Sequence, residues 1–161
     1  MNAQRGFTIA ELVIVMVIVG VLSAVAVPRL FDQSEFAGRG GRDFVASSLR
    51  YAQKSAIALR RNVCVDVAGA TIAATIATAP GSDQPCNPAA ALVHPANGLS
   101  FADPANALPG GAAVTAAASV VFDAAGRPLT APAAPLAAVL TIAVTGHAVP
   151  VNVEPETGLV H

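Results

Sequence analysis

The stretch from Phe7 to Val27 reads FTIAELVIVMVIVGVLSAVAV, 21 residues that carry a single charge, Glu11. As an α-helix it would be about 31 Å long, close to the hydrocarbon thickness of a bilayer. No second apolar run of that length follows in the 161-residue chain. The expectation is one membrane-class segment joined to a domain that folds in water. Three fates of the segment are open: an uncut anchor, a secretory signal peptide, or an anchor processed at its start. Ala24-Val25-Ala26 fits the small-x-small pattern of signal-peptide cleavage. Against that fate, Arg5 is the only basic residue before the run, and Glu11 interrupts it.

Composition narrows the rest. The chain is 54% hydrophobic and only 12% charged, which excludes a disordered, strongly charged polymer. Aromatic residues make up 4% and Trp is absent. The apolar content is thus mostly Ala and Val, which bury little area each, so a thin core is expected. The net charge of −1 hides an uneven distribution. Between Phe7 and Arg61 the positives are Arg29, Arg39, Arg42, Arg50, Lys54, Arg60 and Arg61, against Glu11, Asp32, Glu35 and Asp43. From Asn62 onward Arg127 stands alone against Asp66, Asp83, Asp103, Asp123, Glu154 and Glu156. A basic stem precedes an acidic head.

The stem has two parts. Pro28 removes a backbone donor and is expected to kink or loosen a helix there. Gly38-Arg39-Gly40-Gly41 places three poor helix formers together, each about 1 kcal/mol worse than Ala. A flexible or broken segment is expected at 38–41. From Arg42 to Arg61, Val45, Leu49, Ala52, Ala56 and Leu59 form one apolar stripe at helical spacing, suited to packing on a sheet. Asp43 would sit in the first turn and Arg60-Arg61 in the last, as the helix dipole favours. Arg50, Lys54 and Arg61 should face outward; a solvated face is the default, a polyanion surface the alternative.

The remainder reads as β-structure. Val63–Val67 alternates, and Thr71–Thr78 is its expected partner across a turn at Gly69. Pro80 to Gly111 is dominated by Pro, Gly, Asn and Asp and reads as mostly loop, with a short strand possible at Leu99–Phe101. Val120-Val121-Phe122 begins a strand that ends at Asp123-Ala124-Ala125-Gly126-Arg127-Pro128. Val139–Val144 and Ala148–Val153 should form a hairpin around Thr145-Gly146-His147, with Pro150 making the last strand an edge.

Arg5-Gly6-Phe7-Thr8-Ile9-Ala10-Glu11-Leu12 resembles the processing site of type IV pilins and type II secretion pseudopilins. The resemblance implies cleavage between Gly6 and Phe7 by the membrane aspartyl protease, prepilin peptidase, on the cytoplasmic side. It also implies N-methylation of Phe7. Glu11 falls on the family's glutamate and Pro28 on its proline. A buried carboxylate costs about 2.5–3.5 kcal/mol on insertion scales and needs a partner, and no basic side chain lies between Phe7 and Val27. The family's solution is intermolecular: Glu11 would pair with the Phe7 amine of a neighbouring subunit. Leu49–Ile57 with Arg60-Arg61-Asn62-Val63 resembles the block of the minor pseudopilin H and FimT-like group, in particular the minor pilin C of mannose-sensitive haemagglutinin pili. Phe122 with Gly126, and the tail Glu154–His161, also resemble that group.

The implied fold is α+β: a long N-terminal helix, transmembrane in its first half, packed by its second half on a mostly antiparallel β-sheet head. The implied segments are a cleaved leader (1–6), an assembly helix (7–27), a stem (28–61) and a periplasmic head (62–161). The implied role is a minor pilin or pseudopilin that initiates or caps a filament. It would reside in the bacterial inner membrane in a single pass, then in a pilus or pseudopilus. Its partners would be other pilins through the N-terminal helix, the peptidase, the inner-membrane assembly platform and membrane lipid. A DNA-binding minor pilin is the second reading, but the acidic head disfavours nucleic acid. A secreted or anchored β-domain adhesin is the third.

On the periplasmic side Cys64 and Cys86, the only cysteines, are expected to form a disulfide; two separate thiols are the alternative. His94, His147 and His161 are scattered and read as surface or turn residues. No Ser/His/Asp set, phosphate loop or metal-ligand cluster stands out, so neither enzymatic activity nor a cofactor is expected.

Overall fold

The computed structural model describes residues 8–30, 33–130 and 134–161. The chain divides into two compact units, Met1–Gln33 and Ser34–His161. The first contains helix α1, Ile9–Leu30. Its side chains from Ile9 to Ala24 are exposed all round, Leu12 to 54% and Met16 to 65%. A helix that is apolar on every face is made for lipid or for other helices. Among the described residues no helix is long and apolar enough to cross a membrane.

The second unit opens with helix α2, Gln33–Leu59. Val45, Leu49, Ala52 and Ala56 are buried as the stripe requires, joined by Ala46 and Ser48. Leu59 departs from the stripe and is 48% exposed, because the helix ends there. The expected break at 38–41 is overturned: α2 runs through all three glycines. Packing outweighs their poor propensity. Gly38 lies against the backbone of Gly146 and His147, and a Cβ on Gly41 would stand 2.7 Å from the Ala112 Cβ. The helix therefore starts ten residues earlier than Asp43, which sits in its interior rather than its first turn.

Its other end is corrected too. Arg60 and Arg61 follow the last turn instead of forming it. Arg60 adopts the left-handed conformation, φ 54°. The Arg61 N–H donates to the Ala56 carbonyl at 3.2 Å and the Arg60 N–H to Ile57 at 3.3 Å. These two bonds make a Schellman stop, in which glycine is usual and arginine is strained.

Strands β1 (Val63–Ala68), β2 (Thr71–Ala77), β3 (Cys86–Ala91), β4 (Ala118–Phe122), β5 (Pro128–Thr130) and β6 (Ala134–Pro135) build an antiparallel sheet of order β3-β2-β1-β4-β5-β6. The β1–β2 hairpin has the expected register, Val65 opposite Ala74, and Gly69 has φ +56° in the turn. Val63, Val65 and Val67 of β1 are buried with the α2 stripe, while Asp66 is exposed. Phe101 and Phe122, both almost fully buried, are the two largest side chains in a core otherwise of Val, Ile, Leu and Ala.

The 80–111 segment is not all loop. It contains β3, whose Pro88 is tolerated because the strand lies at the sheet edge. At Leu99–Phe101 there is one bridge, Ser100 to Val93. A second, two-stranded sheet pairs β7 (Leu140–Ile142) with β8 (Val151–Val153). The expected hairpin is thus present but shorter, because Ala143 and Thr145 bond instead to Thr115 and Ala113. The edge assignment drawn from Pro150 is overturned. Pro150 precedes β8, and the tail covers its far side: Asn152 and His161 exchange N–H···O=C bonds of 2.8 and 3.0 Å.

Candidate functional site

The candidate site is the start of α1. Gly6 and Phe7, the expected cleavage and methylation positions, lie outside the described residues. Thr8 caps the helix. Its carbonyl accepts the Leu12 N–H at 3.1 Å, and its Oγ1 accepts the Glu11 backbone N–H at 3.3 Å. Glu11 is exposed in the first turn, where the positive end of the helix dipole favours a carboxylate. The capping role of Thr8 was readable from Thr8-Ile9-Ala10-Glu11, the T-x-x-E spacing of a capping box. Beyond it α1 continues past Pro28 to Leu30.

Features of the head support rather than react. Cys64 and Cys86 are bonded to each other, their Cα atoms 6.0 Å apart, linking β1 to the start of β3. Asn62, 2% exposed, donates through Nδ2 to the carbonyls of Ser82 and Gln84 at 3.0 and 2.9 Å. The 82–84 loop is thereby fixed beside the disulfide. Asp123, 3% exposed, accepts the N–H groups of Ala125 and Arg127 and the Arg127 side chain at 2.8–3.0 Å. Asp123 is thus the hub of the turn that carries Gly126. Arg50 and Gln53 reach from α2 to the carbonyls of Val160 and of Gly126 and Thr157. His94 is not a free surface residue: it stacks on Phe44 and meets Phe101 edge-on at 4.9 Å. His161 contacts Glu154 at 2.9 Å. A cleft of about 440 Å³ is lined by Ser82, Asp123, Arg127, Leu129, Pro155 and Glu156, among others. Its one buried carboxylate, Asp123, is already saturated by hydrogen bonds, so the cleft offers no activated nucleophile or base.

A capped apolar helix with one acidic residue in its first turn points to the motif at the chain's start, and comparison with known proteins decides it. Residues 1–27 match the prokaryotic N-terminal methylation motif. Further similarity is to pilus proteins. The type IV narrow pilus major component PilA5 of Thermus thermophilus is 46% identical over 48 residues, 30% of this chain and 41% of that protein. A fimbrial protein of Pseudomonas aeruginosa is 40% identical over 57 residues, 35% of this chain and 37% of that protein. One from Moraxella nonliquefaciens is 56% identical over 32 residues, 20% of this chain and 21% of that protein. Over those stretches the chain is homologous to type IV pilin and fimbrial proteins, which are structural and not enzymes. The chain spans about two-fifths or less of the length of these relatives. No solved structure matches it.

Proposed function

We propose that this chain is a filament component of the type IV pilus or type II secretion kind. Prepilin peptidase would cut it after Gly6 and methylate Phe7. The subunit would wait in the inner membrane with α1 in lipid and its head in the periplasm, and the assembly platform would then extract it into a filament. The methylation motif over residues 1–27 carries this reading. The physics of α1 supports it: the exposed apolar surface from Ile9 to Leu22 is tolerated in lipid and later exchanged for contacts with other α1 helices. Glu11 would neutralise the Phe7 amine of a neighbour. A Glu11→Ala variant should remain in the membrane and fail to enter filaments; normal co-assembly would refute the pairing.

Within that role we favour a minor, initiating or capping subunit. The support is the block Leu49–Ile57 with Arg60-Arg61-Asn62-Val63, which resembles the minor pseudopilin H and FimT-like group. Quantitative mass spectrometry of sheared filaments tests it. A copy number far below that of the bulk subunit is expected, and abundance equal to the bulk subunit contradicts it.

A further inference from the structure

The Cys64–Cys86 bond joins the two strands that flank β2. In the order β3-β2-β1, β1 carries Cys64 and β3 begins at Cys86. β1 is held without the bond: it pairs with β2 and β4 and buries Val63, Val65 and Val67. β3 is held far less. None of its six residues is buried, and its pairing with β2 shifts register between Thr75 and Ile76. Pro88 brings no N–H to the ladder, and the Ala89 N–H is taken by the Asn87 Oδ1 at 2.9 Å. The chain is pinned on either side of this segment. The Ala77 N–H donates to the Asn62 carbonyl at 2.9 Å, and the N–H of buried Leu92 donates to the Ala74 carbonyl at 2.8 Å. Between these pins, the disulfide and the two bonds from the Asn62 side chain reinforce the weak strand pairing. We propose that the disulfide is a latch on the sheet edge: its reduction releases β3 from an otherwise folded head and opens the β2 edge to the β2 strand of a second copy of this chain.

The composition of β2 selects that occupant. It reads Thr71-Ile72-Ala73-Ala74-Thr75-Ile76-Ala77, without charge, Pro or Gly, and four of its seven residues are β-branched. An open edge of that kind is a template for another strand. Set antiparallel to itself about Ala74, the segment places Ile72 opposite Ile76 and Ala73 opposite Thr75. Like faces then meet, and the pairing closes on a two-fold axis. β3 suits the role of a cover, because Pro88 and the internally bonded Ala89 amide make it a poor template in its turn. Cys64 and Cys86 are half-buried, so a small dithiol reaches them. One thiolate of the dithiol attacks a cysteine Sγ and forms a mixed disulfide; its second thiolate then displaces that sulfur and closes the reagent's own disulfide. Two electrons and two protons pass to Cys64 and Cys86, which leave as thiols. A disulfide oxidant reverses both steps and shuts the edge.

The test is amide hydrogen exchange and sedimentation of the full chain in detergent micelles, with and without dithiothreitol. In dilute reduced samples the amides of β3 and of Ile76, its partner residue on β2, should lose protection, while those of Val120 and Val151 in the core keep theirs. Cys64→Ser combined with Cys86→Ser should reproduce this without reductant. At higher concentration the reduced chain should associate beyond the oxidised chain and recover protection at Ile76. Ala73→Lys, which places a lysine beside Asp66 on β1, should abolish that association and leave the release of β3 unchanged. Ile76 still protected after reduction would overturn the inference, as would loss of protection at Val120 and Val151 together with Ile76. Equal association of the two redox forms, or association indifferent to Ala73→Lys, would overturn the choice of a second copy. Cleavage at the chain's start and filament entry play no part in these readouts, so the inference stands or falls apart from the proposed function.

Discussion

Single residues at the ends of elements carry much of the specificity of this fold. Arg60 holds a left-handed conformation at the stop of α2, a place where a non-glycine residue is strained by about 1–2 kcal/mol. Arg60→Gly should therefore stabilise the chain despite the added freedom of the unfolded state, by about 0.5–1 kcal/mol net. A rise in the midpoint of chemical denaturation checks this. Asp123 has the opposite sign. It is buried and accepts four hydrogen bonds, two of them from the Arg127 side chain. Asp123→Ala strands two backbone N–H groups and should cost about 1–3 kcal/mol, read as a lower melting temperature. Neither role is visible in residue identity alone, since Arg after a helix and Asp in a turn are ordinary. The Schellman stop and the Asp123 hub exist only once the backbone has closed around them.

At the scale of elements, local propensity and tertiary packing disagree most clearly at the glycines of α2. Propensity alone says that Gly→Ala anywhere in the helix gains about 1 kcal/mol. The structure separates the sites. A methyl group on Gly38 would collide with the Gly146 backbone, whereas on Gly40 its nearest neighbour is the Pro109 Cγ at 3.3 Å. Gly38→Ala should thus lower the denaturation midpoint, and Gly40→Ala should change it much less, under identical conditions. This explains why the 38–41 segment reads as a break in sequence and is a helix in the structure. Glycine removes helix propensity and also lets another backbone approach, and only the second property requires long-range information. Strands with clear alternation, such as Val63-Cys64-Val65-Asp66-Val67, were legible because a buried face and an exposed face alternate along them. β3 was not, because Cys86-Asn87-Pro88-Ala89-Ala90-Ala91 has no such alternation and pairs only as an edge. The tail pairing on β8 was hidden for a similar reason: it forms through backbone groups of Asn152 and His161. The disulfide was legible from cysteine count and compartment. Replacing both Cys64 and Cys86 by Ala should cost about 3 kcal/mol in the chain-entropy model, measured as the shift in unfolding free energy of the full chain.

For the whole molecule, the high apolar content divides into two demands. The first unit exposes the apolar side chains from Ile9 to Ala24, and the second buries a thin Val- and Ala-rich core reinforced by a disulfide. Of the candidate site, the motif at the chain's start was legible because it is local, a glycine, an apolar start and a carboxylate at fixed spacing, and residues 1–27 match the N-terminal methylation motif. The Thr8 cap was equally local, but its T-x-x-E pattern is masked by the longer motif that contains it. The charge is split between a basic stem and an acidic head with six carboxylates. The central claim is that this chain enters a filament after processing at its start. The most direct test is the N-terminal sequence and mass of the protein recovered from membranes of a strain that has the assembly machinery. The account predicts a chain beginning at Phe7 with one methyl group on its amine. A chain beginning at Val27 or at Met1 would contradict it.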